Sequence, residues 1–284
     1  MPTENLKQIS GRIVHRAKAL GADLAGIAAV MDLKRSPSHR ISGNMPSFEG
    51  VGTKPVEGQP TGIVKWPQDA GSAVVIAIVH PIERPELDWW VTSTSAGNTE
   101  GNRRLMVVVE KLADWLAEEM GIQSIKLPYH IEHGGIYMKD AAVLAGLGCI
   151  GRNNLLVSPQ FGPRLRLRVM LVDAELPATG PIDFDPCSDC GVPCHKACPQ
   201  KAFDRPRYTA EAYGQSELPG RSGIYDRWAC NRQMTQDNAD YETVTLAGKS
   251  AAARRVRYCR RCELACPATG PFRSRRNTAQ APDH

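Results

Sequence analysis

Long hydrophobic runs are absent from this chain, and aromatic residues are scarce. No apolar stretch approaches the roughly 18 residues of a membrane-spanning helix, so the sequence predicts no membrane span. Residues 1–21 carry an acidic residue and contain neither an apolar core nor a twin-arginine start. We therefore expect no targeting peptide and a cytoplasmic location. Phe, Trp and Tyr make up 6% of the chain, and little interleaving of aromatic with basic residues weakens the case for RNA binding.

The rest of the composition is that of an ordinary globular protein. With 284 residues the chain is long enough for one large domain or two modest ones, each with its own core. Nine cysteines would suit a disulfide scaffold in a small secreted chain, but this chain is neither small nor visibly secreted. We therefore expect the cysteines to be thiols or metal ligands.

Seven of the nine cysteines fall in two short-spaced runs that end in Cys-Pro, and an eighth stands between the runs. The runs are Cys187-x2-Cys190-x3-Cys194-x3-Cys198-Pro199 and Cys259-x2-Cys262-x3-Cys266-Pro267, with Cys230 between them. Soft thiolates at these spacings are typical of iron–sulfur ligands, and eight of them suffice for two [4Fe-4S] clusters. Zinc is the alternative for paired cysteines, but the Cys-Pro endings and the total of eight favour iron and sulfide.

A crossover rule predicts which cysteines share a cluster. In two-cluster ferredoxins, the cysteine before proline ligates the other cluster. The rule gives cluster one Cys187, Cys190, Cys194 and Cys266, and cluster two Cys198, Cys230, Cys259 and Cys262. The isolated Cys230 and the x3 spacing before Cys194 depart from the common pattern. The ninth cysteine, Cys149, is expected to be a buried, inert thiol.

Hydrophobic periodicity predicts helices interleaved with strands in the first two thirds of the chain. The predicted helices are 6–20, 103–120 and 136–145, and the predicted strands are 24–30, 72–79, 122–127, a short one near 155, and 165–172. This order indicates an α/β or α+β domain that ends near residue 176. Residues 34–70 are predicted to be irregular, and residues 176–186 form a proline-rich joint. Little sheet pattern follows the joint.

The segment 146–151 matches the dinucleotide-binding fingerprint G-x-G-x-x-G letter for letter. A dinucleotide loop leaves a strand and opens a helix, whereas this segment follows a helical pattern and precedes a strand pattern. Nicotinamide binding is therefore disfavoured. We expect the glycines to end a helix and to let the backbone approach something flat or bulky.

The segment YHIEHGGIYMKD, at 129–140, concentrates groups that can exchange protons around a Gly-Gly pair. They are His130, Glu132, His133, Tyr137, Lys139 and Asp140. Such groups at a strand end, just before the glycine segment, predict an active site. The alternative is a solvated loop. A mononuclear metal site at the two histidines lacks an identifiable third ligand.

Arginines crowd the C-terminal end. They are Arg254, Arg255, Arg257, Arg260, Arg261, Arg273, Arg275 and Arg276. They either offset the negative charge of the clusters, which we favour, or form a docking patch for an acidic electron donor or for RNA phosphates.

Three stretches together resemble a known family. AGLGCIGRNNLLVSPQFG at 145–162, LVDAELP at 171–177 and the Cys-Pro runs look like the core of epoxyqueuosine reductases and of the related cobalamin-dependent reductive dehalogenases. The resemblance implies an α+β fold, with a nitroreductase-like α/β domain at 1–180 that binds base-off cobalamin. A small ferredoxin-like domain with two [4Fe-4S] clusters would follow at 181–270, and then a flexible basic tail at 271–284.

The same resemblance implies a reductase that cleaves a carbon–heteroatom bond, by epoxide deoxygenation or reductive dehalogenation. Electrons would pass from reduced ferredoxin or flavodoxin through the clusters to cobalt. The implied catalytic residues are Glu132, His133 and Tyr137, and the implied cobalamin-binding residues are Gly146, Gly148, Gly151, Asn153 and Ser158. The family usually has aspartate where Glu132 stands, proline at Gly135 and tryptophan at Cys149.

The substrate implied by this resemblance is a small molecule or a modified nucleoside. Many epoxyqueuosine reductases carry C-terminal helical repeats that grip tRNA; because this chain shows none, tRNA is a possible partner that we do not favour. Two alternatives remain open. One is an electron-transfer protein that reduces the corrinoid of a partner enzyme, and the other is a flavin-dependent reductase on the same fold.

Overall fold

A computed structural model describes residues 5–58, 62–93, 97–246 and 252–268 as a mixed α/β chain. In chain order the helices are α1 (Leu6–Ala19), α2 (Val30–Lys34), α3 (Pro37–Ile41), α4 (Glu100–Met120), α5 (Met138–Leu144), α6 (Pro193–Lys196), α7 (Ala210–Tyr213), α8 (Arg227–Ala239) and α9 (Arg261–Leu264). The strands are β1 (Leu24–Ala29), β2 (Ser72–Val79), β3 (Trp90–Thr92), β4 (Asn98–Thr99), β5 (Ser124–Lys126), β6 (Cys149–Ile150), β7 (Leu156–Val157), β8 (Leu165–Val172), β9 (Glu242–Thr245) and β10 (Ala252–Val256). The predicted tail 271–284, with Arg273, Arg275 and Arg276, lies outside these residues.

An antiparallel sheet in the order β1-β2-β8-β5 forms the centre of the fold. Its middle strand β2 has the bounds that the sequence predicts. Alternate residues of β2 enter different cores, because successive side chains point to opposite faces. Ile76 packs with residues of α1 and α4 on one face, and Val75 packs with residues of α5 on the other. Strand β2 is therefore covered on both faces.

The two long helices on one face of this sheet are delimited by local signals. The Asn5 side chain caps α1, and the helix gives way to Gly21 at φ 110°. The Thr99 hydroxyl caps α4 by accepting a hydrogen bond from the Asn102 N–H at 3.1 Å. This cap starts α4 three residues before the predicted residue 103. Within the described ranges, no helix has both the length and the apolar character needed to cross a bilayer.

A second antiparallel sheet, in the order β4-β3-β10-β9, joins distant parts of the chain. Strand β3 precedes α4, whereas β9 and β10 lie between the two cysteine runs, and the register places Thr92 opposite Arg254. The prediction of little sheet after residue 186 is therefore wrong. The hydrophobic pattern that predicts a strand is weak here, because β10 is short and rich in arginine. The sheet joins strands from both sides of the predicted domain boundary at 180/181. The division into two domains stays a prediction.

A buried ion-pair network also links the first sheet to the second cysteine run. Asp88 accepts from His80 Nδ1 at 2.7 Å and pairs with Arg166 Nη2 of β8 at 2.7 Å. Arg260 pairs with Asp88 Oδ2 at 2.5 Å, and Arg166 pairs with Glu263 of α9 at 3.0 Å. Because charges that are largely removed from water need partners, the network helps to fix where the second cysteine run lies on the sheet.

Candidate functional site

The first group of cysteines lines one small cavity. Its members are Cys187, Cys190, Cys194 and Cys266. Val192 adopts the left-handed conformation at φ 47°, and Pro193 then opens α6, which places Cys194 in the first turn of that helix. Helix α6 packs beside α9, which leads directly to Cys266. Three of the four thiols are buried and Cys190 is half-buried, so the chain closes around a space bounded by sulfur.

The second group of cysteines lies beside a small apolar cluster. Cys198, Cys230 and Cys262 pack against Ala202, Phe203 and Ala229. Helix α8 presents Cys230 from its first turn, and Asp226 caps that helix by accepting from the Ala229 N–H at 2.9 Å. The fourth member, Cys259, is exposed.

Electrostatic effects between the thiols follow the same two groups. The pKa of Cys194 is raised to about 11, first by burial and then by the charges of Cys266, Cys190 and Cys187. The pKa of Cys262 is raised to about 12, first by burial and then by Cys230, Cys259 and Cys198. The partition given by the crossover rule thus has a counterpart in space, while metal ligation itself stays a prediction.

The spacing of the thiols bears on which metal they suit. Among the residues that the structure describes, no three His, Cys, Asp or Glu side chains converge closely enough to hold a single metal ion. A [4Fe-4S] core sets its thiolates around four irons, so they stand farther apart than the ligands of one zinc ion. Four soft thiolates in each group are a donor set for either metal, so the preference for iron and sulfide stays a prediction from the Cys-Pro endings and the total of eight.

The glycine segment is packed against the protein itself. It leaves α5 and enters β6, which is not the order of a dinucleotide loop. A Cβ on Gly146 would meet Thr179 O at 2.9 Å, and one on Gly148 would meet Val157 O at 2.0 Å. On Gly151 it would meet Val157 Cγ2 at 2.7 Å. Close packing within the chain, rather than approach of a ligand on that side, requires these glycines.

The two polar residues predicted to bind cobalamin are also engaged internally. Asn153 is buried, and its side-chain amide donates to Cys262 O at 3.4 Å and accepts from Leu155 N at 3.2 Å. The buried Ser158 hydroxyl accepts from Phe161 N at 3.0 Å. Like the three glycines, these two residues are engaged within the chain, and their predicted role in cobalamin binding stays a prediction. Asn153 instead lies between the two cysteine groups, because it also lines the first cavity.

Glu132, the predicted proton donor, is 1% exposed and lies against partners on two other segments. One carboxylate oxygen pairs with the Arg227 guanidinium, and the other accepts from Thr53 Oγ1 at 3.3 Å. The Arg227 guanidinium also stacks on the Phe48 ring at 3.6 Å. Since Arg227 opens α8, the ion pair fastens Glu132 to the helix that carries Cys230.

His133 and Tyr137, the other two predicted catalytic residues, make separate contacts. His133 Nε2 lies 3.0 Å from Lys54 O, and the Tyr137 hydroxyl donates to Met45 Sδ at 3.0 Å. Burial raises the pKa of Tyr137 well above its ordinary value. The rings of His130 and His133 meet edge to face at 5.6 Å. The structure thus links the segment through Glu132 to α8, which carries Cys230, but each predicted catalytic side chain contacts its own partner.

A buried hydrogen-bond network behind this segment was not predicted from the sequence. Asp140 accepts hydrogen bonds from Ser36 Oγ at 2.8 Å and from Ser38 N and Oγ, each at 3.0 Å. His39 Nε2 accepts from Tyr137 N at 3.2 Å, so its Nδ1 faces Ser36 Oγ at 2.8 Å as donor. Burial lowers the pKa of His39 to about 4, which leaves the ring neutral. No local signal in residues 34–70 distinguished these residues.

Lys139, also in this segment, has a pKa that is lowered towards neutral pH. Its ammonium group donates to Asn154 O at 2.6 Å, in the loop after the glycine segment. Burial lowers its pKa to about 8, against the opposing charge of Asp140 and with the help of Arg227. An amine with such a pKa is suited to proton transfer near neutral pH.

Comparison with curated proteins finds relatives in two groups. The chain is 25% identical over 210 residues to an epoxyqueuosine reductase of Staphylococcus aureus. This alignment covers 69% of this chain and 53% of that protein. It is 27% identical over 229 residues to a tetrachloroethene reductive dehalogenase of Desulfitobacterium hafniense, covering 69% and 39%. The chain thus spans about half or less of the length of these relatives. No protein-family model matches the sequence.

Solved structures of both groups share the fold. An epoxyqueuosine reductase with an epoxyqueuosine-modified tRNA stem loop matches with a TM-score of 0.56 at 18% identity, over 93% of this chain and 66% of that chain. A catabolic reductive dehalogenase in complex with 3-bromo-4-hydroxybenzoic acid matches with a TM-score of 0.58 at 21% identity, over 93% and 32%.

The relatives in both groups are reductases by name. The comparisons thus confirm the predicted resemblance of this chain to the superfamily of epoxyqueuosine reductases and reductive dehalogenases.

Proposed function

We propose that this chain is an iron–sulfur oxidoreductase that carries electrons through two [4Fe-4S] clusters to the reductive cleavage of a carbon–heteroatom bond. The observation that carries the proposal is the gathering of eight cysteines into two groups of four, one of them around a single cavity. The epoxide and halide chemistry of the relatives supports the reaction class. A small molecule or a modified nucleoside is the proposed substrate, and a cytoplasmic location remains a prediction.

The eight thiolates would hold the clusters as the crossover rule assigns them. Cluster one would be held by Cys187, Cys190, Cys194 and Cys266, and cluster two by Cys198, Cys230, Cys259 and Cys262. When bound, the clusters supply one-electron transfer. Gly151 allows the backbone to pass close to Cys187, and Asn153 lies between the two groups.

Cobalamin is the proposed electron acceptor, since a neighbouring reductive dehalogenase structure describes B12-dependent dehalogenation. The residues predicted to hold it are packed internally, so we derive no step through cobalt. An epoxyqueuosine reductase from Bacillus subtilis has been solved with its catalytic loop swung out of the active site. A comparable movement of the Glu132 segment here would have to break the ion pair with Arg227.

Protonation of the leaving group or product is assigned to the 129–140 segment. The pKa of about 8 supports Lys139 as the group that delivers a proton near neutral pH. Glu132, His133 and Tyr137 stay predicted catalytic residues, and Glu132 would act only after it leaves Arg227.

The reaction is tested with protein reconstituted anaerobically with iron and sulfide and then incubated with cobalamin under reducing conditions. We expect one corrinoid to be retained per chain and reduced viologen to be oxidised when an organohalide or an epoxide is added. A protein that holds eight irons but retains no corrinoid, and that does not oxidise viologen when substrate is added, would contradict the cobalamin-dependent reaction.

An electron-transfer protein that reduces a partner's corrinoid is the second candidate function. The closed packing around Glu132 and the glycine segment favours it, because neither leaves its predicted residues facing a ligand. This candidate requires that the reduced chain transfer electrons to the corrinoid of another protein without retaining corrinoid itself. Reduction of free cobalamin alone would not separate the two functions, so retention after desalting is the deciding measurement.

A further inference from the structure

The two cysteine groups differ in their exposure to solvent. Cys187, Cys194 and Cys266 of the first group are each at most 8% exposed, whereas Cys259 of the second group is exposed. Cluster one would therefore lie inside the protein, next to the glycine segment, and cluster two would reach the surface at one ligand. An electron carrier that does not enter the protein meets cluster two first.

Cys259 is held at the surface by the end of α8 and the start of α9. Its backbone N–H donates to Asp237 Oδ2 at 2.7 Å. Burial and the charge of Asp237 raise the pKa of its thiol, while the backbone N–H of Arg261 and the charge of the Arg261 guanidinium act in the opposite direction. The thiol thus stands in a defined loop, with a guanidinium two residues further along the chain.

Positive charge exceeds negative charge around this loop. Glu242 pairs with both Arg255 and Arg257, so one carboxylate is shared by two guanidinium groups. Within the described residues, Arg254 and Arg261 have no carboxylate at ion-pair distance. Both are exposed. Asp237 also lies at Cys259, so Glu242 and Asp237 are the carboxylates near Arg254, Arg255, Arg257 and Arg261, and the positive charge around the loop is only partly cancelled.

Contacts with α8 place Arg254 on the same side of the protein as Cys259. Arg254 donates to Asn238 O at 3.2 Å, and its guanidinium lies 4.0 Å from the Tyr241 ring centre. Tyr258, which precedes Cys259, contacts Asn238 Oδ1 at 3.5 Å. The Cys259 face is defined here as Cys259 with Arg254, Arg257 and Arg261.

We propose that the Cys259 face docks an acidic one-electron carrier protein, of the flavodoxin or ferredoxin kind, that reduces cluster two. In each transfer the carrier loses one electron and the cluster gains it, with no bond made or broken. The proposal rests on the proposed function, since it requires a cluster at the second group. Cations around an exposed cluster ligand attract an acidic carrier and raise its association rate.

An acidic protein suits this face better than RNA. The Trp89 ring is covered by the guanidinium groups of Arg255 and Arg257, at 4.4 and 4.8 Å from its centre, so it is not open to stack with a base. A cluster ligand at the centre of the face has no use in binding phosphates, but it provides the short path that electron transfer needs.

Stopped-flow reduction of the reconstituted holoprotein by flavodoxin hydroquinone tests the docking. The variant is Arg254→Glu/Arg261→Glu, and the matched control is Lys7→Glu/Lys18→Glu on α1, where both lysines are exposed. We expect the docking variant to be reduced about tenfold more slowly at low salt, and the difference to shrink as salt screens the charges. Photoreduced deazaflavin, a small reductant, should reduce all three proteins at the same rate.

Three results would overturn the docking proposal: equal rates with flavodoxin for all proteins, an equal loss in the α1 control, or the same loss with deazaflavin. A wild-type protein that assembles no cluster at the second group would instead overturn the proposed function. Iron and sulfide are therefore measured on every sample before the kinetics. Slowing by added RNA in the wild type but not in the variant would assign these arginines to RNA instead.

Discussion

At the scale of single residues, the buried polar groups near the candidate site are explained by their partners. Glu132 combines almost complete burial with an arginine partner that is 35% exposed. A carboxylate in such a position stabilises the fold while it remains paired, because the unpaired charge would be costly to bury. The residue that the resemblance marks as catalytic therefore also fastens two segments together.

The substitution Glu132→Gln tests this structural role. It removes the charge that faces Arg227 and should lower the free energy of unfolding by about 1–3 kcal/mol. The matched control is Glu49→Gln, which removes an exposed carboxylate 3.6 Å from Lys54 and should change it by less than about 0.5 kcal/mol. Denaturant unfolding of the reconstituted proteins measures both changes. Equal values for the two variants would refute a stabilising ion pair at Glu132.

Lys139 gives a dependence of stability on pH whose sign follows from its pKa. The folded value of about 8 lies below the ordinary lysine value of about 10.4, so the unfolded chain binds more protons between these pH values. The contribution of Lys139 to the free energy of unfolding should therefore increase from pH 8 to pH 10. Lys139→Met should remove this increase, whereas the exposed Lys126→Met should keep it. Denaturant unfolding at several pH values measures this dependence. If the free energy of unfolding changes with pH in parallel for wild type and Lys139→Met, the shifted pKa is contradicted.

At the scale of elements, the glycine segment is tied to the first cysteine group. A Cβ on Gly151 would lie 2.7 Å from Val157 Cγ2, 2.8 Å from Asn153 Oδ1 and 3.6 Å from Cys187 Sγ. Gly191, between Cys190 and Val192, has no atom within 4 Å of the same position. Gly151 is near the first cysteine group in space and Gly191 is near it in sequence. The two glycines differ in the free space around them.

Gly151→Ala should lower the melting temperature and alter the spectrum of cluster one, because either Val157 or the Cys187 loop must move. Gly191→Ala should leave both near their wild-type values. Thermal unfolding and electron paramagnetic resonance of the reduced proteins measure the two effects. If Gly151→Ala behaves as Gly191→Ala does, the glycine segment does not constrain the cluster.

Elements with strong local signals were predictable from the sequence, and those that depend on distant pairing were not. Strand β2 and helices α1 and α4 carry continuous or periodic apolar patterns with glycine or a capping residue at their ends. Strands β3, β4, β9 and β10 have two to five residues each and form a sheet only through contacts far apart in the chain. The hydrogen bonds from Ser36 and Ser38 to Asp140 span more than 100 residues and left no trace in local sequence.

At the scale of the whole molecule, the second sheet and the buried network of Asp88 and Arg260 hold the cysteine runs on the central sheet. The grouping of the cysteines could be predicted because spacing and Cys-Pro endings report directly on ligand geometry. The contacts of Glu132, Tyr137 and the glycines could not, because they depend on how the segment 129–151 packs against residues 45–53, 157 and 227. The molecule thus presents a first thiol group that is largely buried beside the glycine segment and a second that reaches the surface at Cys259.

The two-cluster arrangement is the central claim, and the most direct test is iron and sulfide analysis with electron paramagnetic resonance after anaerobic reconstitution. Wild type and Cys149→Ala should each hold about eight irons per chain, and Cys198→Ala about four, with the signal of one reduced [4Fe-4S] cluster. Eight irons in Cys198→Ala would contradict the assignment of that thiolate. One or two zinc ions in place of iron and sulfide in the wild type would contradict the account as a whole.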